Sequence, residues 1–328
     1  MDNLTHALSG IILSRAGLNR LTPQAGWLLV LSSNLPDADI ITGLWDQIAY
    51  LDLHRGPTHS LFWAPLLAAV PLPLWRWLAR KARPGRRAWL GAYCASLIAV
   101  LVHLAFDWFN AYGTRLLLPF RDQWYGVDWL PIVDVWIWAL LGAGVAGALL
   151  SRLLTSEMGG RKPSGLIGAW VVLALLTGWV AFRGELHGRA VATLESRLYG
   201  GEAPRSVRAL PSFTNPFLWR GLVETPGAWR SVEVNLLDEF NPDAARIHHQ
   251  PVQHDALAAA RATPAGRAFV RFAQVPIWQV IPDDDPEGAL LVTATDLRFG
   301  EPEDHRFRLE VKLDPQSRIL HQTFDLGR

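Results

Sequence analysis

Ala88-Trp89-Leu90-Gly91-Ala92-Tyr93-Cys94-Ala95-Ser96-Leu97-Ile98-Ala99-Val100-Leu101-Val102-His103-Leu104-Ala105-Phe106-Asp107-Trp108-Phe109 is an apolar run without lysine, arginine or glutamate. Wound as an α-helix, at about 1.5 Å per residue, it crosses a hydrocarbon core of about 30 Å. Its last turns nevertheless carry His103 and Asp107, four positions apart and so on one helical face, with β-carbons about 5–6 Å from each other. A carboxylate costs about 2.5–3.5 kcal/mol near the bilayer centre and less toward the interface, so this pair needs partners.

Three further runs, Leu61 to Leu78, Ile132 to Leu150 and Gly165 to Phe182, also reach spanning length, the four holding roughly 18 to 22 residues each. Leu4 to Leu13 and Ala25 to Leu35 are shorter and read as a helical hairpin supported by the others. Long apolar runs stop near Arg183. The expected architecture is an α-helical membrane bundle over residues 1–183, with four long spans and a short N-terminal hairpin. A soluble α+β domain with a mostly antiparallel sheet then follows over 184–328. Asp2 stands where a signal peptide would carry basic residues, and no small-residue cleavage site follows the first run, so the first helix is expected to stay.

The whole chain has 328 residues, half of them hydrophobic, with 31 basic and 30 acidic side chains. That balance excludes disorder and gives no basic surface for nucleic acid. Cys94, the single cysteine, excludes a disulfide framework and a thiolate zinc knuckle and reads as inert packing.

Basic loops set an expected orientation. Arg76, Arg80, Lys81, Arg83, Arg86 and Arg87 follow the first long run with no acid among them, the mark of a cytoplasmic connection. Arg15 and Arg20, and Arg152, Arg161 and Lys162 against Glu157, agree with it. Alternation then places the opposite helix ends, and the C-terminal domain, outside.

The polar residues of the membrane part gather at those outer ends. They are His6 after a cap at Asn3, Asp37 and Asp39 in an irregular loop after Pro36, His54 and His59 around the Gly56-Pro57 turn, His103, Asp107 and Asp134. A lone histidine is more often a satisfied core residue, and a loop aspartate a turn former. Four histidines with several carboxylates, and no intramembrane lysine or arginine to match them, form a ligand set instead. Imidazole and carboxylate suit a divalent metal, zinc foremost and manganese next, and the number of donors allows one or two ions. Paired metals serve enzymes that activate water against phosphoryl oxyanions.

Asp2-x-x-Thr5-His6-x-x-x-Gly10, Pro36-Asp37-x-Asp39, His54-Arg55-Gly56-Pro57-Thr58-His59-Ser60 and His103-x-x-x-Asp107 resemble the YdjM-type family of inner-membrane metal-dependent hydrolases. Tyr112-Gly113-Thr114, Pro119-Phe120 and Val133-Asp134 are similar to that family as well. The resemblance implies a bacterial plasma-membrane protein, distantly similar to zinc-dependent phospholipases C and zinc nucleases. It implies His6, Asp37, His54, His59, His103 and Asp107 as metal ligands. Asp39 and Asp134 are further candidates, the latter followed by Val135 where the family usually has proline.

On that reading a free carboxylate such as Asp39 takes the proton from water. The Arg55 fork clamps a phosphate or oxyanion, its bland alternative being a salt bridge to Asp52 or a loop aspartate. Thr58 and Ser60 cap a helix or orient a ligand. The expected partners are the lipid bilayer and an amphiphilic or phosphoester substrate. A metal or proton transporter, and a non-catalytic anchor with a structural metal, are the alternatives.

In the soluble part, Glu185 to Tyr199 reads as an amphipathic connecting helix and Val252 to Ala262 as a second one. Strands are expected at Phe217–Val223, Trp229–Leu237, Phe269–Ile281, Leu290–Phe299, Arg306–Leu313 and Ile319–Phe324. His248-His249 with His254-Asp255 reads as solvated surface, and Asp283-Asp284-Asp285 as a hairpin turn.

Overall fold

The computed structural model describes residues 1–157, 165–251, 254–283, 285–304 and 307–325. Arg161 and Lys162 of the basic connection, Val252, Asp284 and Arg306 lie outside the described residues. In chain order the helices of the first part are α1 (Asn3–Arg15), α2 (Ala25–Asn34), α3 (Gln47–Leu53), α4 (Ala64–Ala69), α5 (Leu72–Leu78), α6 (Arg86–Phe109), α7 (Val135–Glu157) and α8 (Leu166–Glu195). Strands β1 (Ser206–Pro211), β2 (Leu218–Thr225), β3 (Ala228–Asn235) and β4 (Arg246–His249) follow, then α9 (Asp255–Ala262) and α10 (Pro264–Phe272). The last strands are β5 (Pro276–Asp283), β6 (Ala289–Asp296), β7 (Arg308–Leu313) and β8 (Ile319–Asp325). Two compact units result: Met1–Ala38, Arg55–Glu185 and Phe213–Pro216 form one; Asp39–His54, Leu186–Ser212 and Phe217–Arg328 form the other.

Among the described residues, three helical segments are long and apolar enough to cross a membrane: Arg86–Phe109, Val135–Leu154 and Leu166–Glu195. The count rises to four only if a bent helix pair between Gln47 and Leu78 is taken as one span. The long helix expected over Leu61–Leu78 is corrected: it starts only at Ala64 and is two short helices, α4 and α5. Pro71 lies at the break and Pro73 just after it, and a proline there removes a backbone donor and clashes with the preceding turn. The α1 cap is corrected too: Asp2, not Asn3, accepts the backbone N–H of Thr5, at 3.0 Å. Pro36–Leu44, expected as irregular loop, is a 3₁₀ helix.

Small residues decide how this unit packs. On α6, Ala92, Ala95, Ser96 and Ala99 recur at helical spacing and are all fully buried. Leu13, Ala25 and Leu29 of the α1–α2 hairpin pack on Ala95 and Ala99, and Ser32 Oγ meets Ser96 Oγ at 2.8 Å. One turn further along the same face stands His103, then Asp107. The face that seats the hairpin thus ends in the polar cluster.

Arg183, nearly fully buried, donates to the carbonyls of Pro216 at 2.6 Å and Trp129 at 3.3 Å, fastening two loops of this unit to α8. The helix itself runs unbroken to Glu195.

The second unit holds two four-stranded antiparallel sheets, ordered β1-β2-β3-β4 and β5-β6-β7-β8. Phe269–Phe272 ends helix α10 and does not open a strand as expected. Thr263 caps that helix by accepting from Gly266 N at 2.8 Å, and Pro264 follows at its first position. β1 and β4 are strands beyond those expected from the sequence.

His248 is a further correction, being buried: its Nε2 lies 2.9 Å from Glu301 Oε2 and 3.1 Å from Ser231 Oγ. His249 is exposed, and His254 caps α9. Asp283 ends β5 and Asp285 lies in the β5–β6 hairpin connection, its N–H donating to Asp283 Oδ1, so the expected hairpin turn is there.

Burial of Glu301 works against its charge, but hydrogen bonds from His248 and Ser231 and the Arg220 guanidinium overcome it and bring its pKa down to about 2. A depressed carboxylate stabilises the fold above its ordinary pKa of 4.5, and that contribution disappears as pH falls through about 2. Glu301→Gln should accordingly flatten the fall in stability between those two pH values in an acid-unfolding titration. An unchanged profile would contradict this.

Candidate metal centre

Asp37, His59, His103 and Asp107 converge in the first unit, each buried and each offering a donor atom within 4.8 Å of the others. The elements that carry them explain the convergence. Asp37 follows the end of α2, His59 closes the short 3₁₀ turn Pro57–His59, and His103 and Asp107 share the inner face of α6. His59 Nε2 lies 3.1 Å from His103 Nε2, 3.1 Å from Asp107 Oδ2 and 3.3 Å from Asp37 Oδ1. His103 Nε2 lies 3.2 Å from Asp107 Oδ2 and 3.6 Å from Asp37 Oδ1.

These distances fit a cation. A tetrahedral ion with bonds of about 2.0–2.2 Å holds its donor atoms about 3.3–3.6 Å apart. The outer ring nitrogens fix which atom faces inward. His103 Nδ1–H donates to the Ser33 carbonyl at 2.7 Å, and His59 Nδ1 shares a 3.0 Å hydrogen bond with Thr58 Oγ1. Both Nε2 atoms are thereby aimed at the centre. His6 adds an independent sign. Fully buried and stacked on His103 with ring centroids 3.7 Å apart, it has no hydrogen-bond partner for either ring nitrogen among the described residues. Its Nε2 stands 3.6 Å from Asp107 Oδ1 and 3.9 Å from Asp37 Oδ2, the carboxylate oxygens turned away from the closest His59 contacts. A buried unsatisfied imidazole is costly unless something binds it.

Arg55 is buried with a positive φ of 56°, an uncommon backbone state for a non-glycine residue. Its guanidinium pairs with Asp107 Oδ1 at 3.3 Å, donates to Asn110 Oδ1 at 3.0 Å and lies over the Tyr112 ring at 4.5 Å. Asp52, one of the partners expected for Arg55, pairs with Arg271. Asn110 also donates to Asp107 Oδ1 at 3.2 Å, and the Met1 amino group meets the same oxygen. Both escaped the sequence reading, although Asn110 lies one helical turn beyond Asp107. The loop after α6 closes the site, with Arg115 N donating to Arg55 O and Leu61 N to Leu116 O, each at 3.0 Å.

The other candidates are placed as follows. Asp39 Oδ1 meets His54 Nδ1 at 2.7 Å in the second unit, where Tyr50 stacks on His54. Asp134 caps α7 by accepting from Trp136 N and Ile137 N, and its other oxygen accepts from Trp179 Nε1. Ser60 Oγ donates to the Leu118 carbonyl.

Thr58→Val keeps the side-chain shape and removes the hydroxyl that orients His59. It should weaken divalent-metal affinity by about 10- to 100-fold, measured by competition with a chromogenic chelator. Unchanged affinity would show that the Thr58 contact is incidental.

Residues 1–187 match the family described as YdjM inner membrane protein, and residues 255–326 match the YfhP C-terminal alpha/beta plait domain. A relative from Bacillus subtilis (strain 168), named "Uncharacterized protein YfhP", is 26% identical over 309 residues, covering 85% of this chain and 82% of that protein. No solved structure matches the chain. With more than half of its length matched and His6, Asp37, His59, His103 and Asp107 all inside the matched region, the chain belongs to the YdjM inner membrane protein family.

Proposed function

We propose that this protein is a membrane-bound, metal-dependent hydrolase that cleaves an ester, phosphoester-like in class, with water activated at the His/Asp cluster. The observation that carries the proposal is the four-donor set Asp37, His59, His103 and Asp107, buried together without a lysine among them. A divalent ion there, zinc or manganese by donor chemistry, supplies a polarised ester oxygen and a water of lowered pKa. His6 is the donor available to a second ion. The protein's own part is to hold Nε2 of two histidines inward and to set the Arg55 guanidinium against Asp107. Arg55 is also the group assigned to a substrate oxygen, its planar fork matching two acceptors at once.

The decisive assay pairs metal analysis with hydrolysis of bis(4-nitrophenyl) phosphate and 4-nitrophenyl phosphate by purified protein. Cleavage that disappears on chelation and returns with metal is expected. Metal flux across sealed vesicles without cleavage would favour a transporter instead.

The proposed topology places the cluster at the extracytoplasmic face of a multi-pass plasma-membrane protein, supported by the acid-free basic stretch Arg76 to Arg87. A reporter after Arg328 should be active outside the cell, and one inserted between Arg80 and Arg87 inside. The reverse pattern would overturn the topology.

A further inference from the structure

We propose that the apolar cleft between α1, α6 and α8 holds the hydrocarbon chain of the substrate, making the substrate class a lipid whose ester head lies at the His/Asp cluster. This rests on the hydrolase reading and names what that site acts on.

The cleft has a volume of about 400 Å³ and no charged residue in its wall. Leu13, Val102, Phe106, Leu173 and Leu176 are among the apolar residues of its wall. Two hydroxyls reach it, and both are committed to their own helices: Ser9 Oγ donates to the His6 carbonyl at 2.8 Å and Thr177 Oγ1 to the Leu173 carbonyl at 2.9 Å. Hydrocarbon is the chemistry such a wall accepts. From Leu173 to Ala181 the cleft follows α8 for about 12 Å at 1.5 Å per residue, the length of a substantial part of an acyl or prenyl chain.

Its place relative to the cluster separates it from an ordinary lipid-facing groove. Ser9 lies one turn beyond His6 on α1. Phe106 directly precedes Asp107 on α6 and meets the His6 ring in a T-shaped contact, with centroids 6.2 Å apart. The turns that carry the donor atoms are therefore the turns that begin the cleft. A second apolar cleft of about 390 Å³, lined by Trp27, Leu31 and Leu74 among others, includes no neighbour of a donor residue and serves as the control. A chain leaving the bilayer for the cleft gains little hydrophobic energy, because lipid is as apolar as leucine. The cleft acts through shape, holding the chain so that the head is presented to the cluster.

The test uses full-length protein in phosphatidylcholine nanodiscs and hexadecyl phosphate bearing a chain diazirine. Saturable crosslinking to α6 and α8 is expected in the wild type and in the control Leu31→Trp. Ala105→Trp and Ala181→Trp fill the cleft from two different helices at exposed positions and should each raise the half-saturating concentration about tenfold or more. Their metal content should stay at the wild-type level, which excludes misfolding as the cause. Equal crosslinking in all four proteins, or non-saturable labelling, overturns the proposal. Hydrolysis of bis(4-nitrophenyl) phosphate is measured alongside and should survive in both cleft variants. If no protein cleaves that ester while saturable crosslinking follows the cleft variants, the hydrolase reading fails and the chain site stands. If cleavage is present and crosslinking ignores the variants, the chain site fails alone.

Discussion

Purified after growth in metal-replete medium, His59→Ala should retain about a tenth or less of the divalent metal bound by the wild type. Esterase activity should fall by about 100-fold or more. His59 Nε2 lies within 3.3 Å of donor atoms on all three other members of the set, His103, Asp107 and Asp37. Its removal leaves three donors and a gap facing them. It also spares the Arg55–Asp107 pair, which Asp107→Ala would break. That substitution strands a buried guanidinium, and orphaning one partner of a buried ion pair costs about 3–5 kcal/mol. Asp107→Ala is therefore expected to lose metal and stability together, whereas His59→Ala should lose metal at nearly unchanged stability of the metal-free protein. Exposed His249 is the matched control, and His249→Ala should bind metal like the wild type. Full metal content in His59→Ala would remove this residue from the centre.

Gly10→Val should be nearly as damaging although Gly10 touches no donor atom. A β-carbon at this position would lie 2.8 Å from Ser33 Oγ, 2.9 Å from the Leu29 carbonyl oxygen and 3.0 Å from Val30 Cα. Two of these are backbone atoms of α2 and cannot rotate away, so α1 and α2 must separate. The cost propagates to the site, because the neighbouring Ser33 carbonyl fixes His103 Nδ1 and α1 carries His6. Overpacking of this kind costs about 1–3 kcal/mol, which for a chain of this size lowers Tm by about 2–10 °C. Metal affinity should fall with it by about tenfold or more, the loss expected when a ligand's orienting contact moves. Wild-type Tm and affinity in Gly10→Val would contradict the close helix crossing.

How far the sequence alone leads varies with the physics of each element. Apolar runs give spans wherever nothing interrupts the backbone, as at Arg86–Phe109. The run at Leu61–Leu78 is also apolar and of spanning length, but Pro71 and Pro73 interrupt it, since hydropathy sums side chains and a proline acts through a missing N–H. Phe269–Phe272 misleads for the opposite reason: its side chains suit a strand, while Thr263-Pro264 just upstream starts a helix.

Within the site, His59, His103, Asp37 and Asp107 are legible because histidines and aspartates beside apolar runs are costly to bury unless they meet a cation or one another. The contacts that orient them are not. Arg55 finds Asp107 and Asn110 more than fifty positions away, and His103 is fixed by a backbone carbonyl, a partner that no residue type advertises. His248 shows the same limit, since its burial depends on Ser231 and Glu301 arriving from distant strands and loops.

X-ray absorption at the edge of the metal retained by the wild-type protein tests the metal centre most directly. A shell of about four nitrogen and oxygen donors at about 2.0–2.2 Å is expected, with imidazole scattering from His59 and His103 that weakens in His59→Ala. Protein that retains no stoichiometric metal, or a metal whose shell contains no imidazole and is indifferent to that substitution, would contradict the centre and the chemistry built on it.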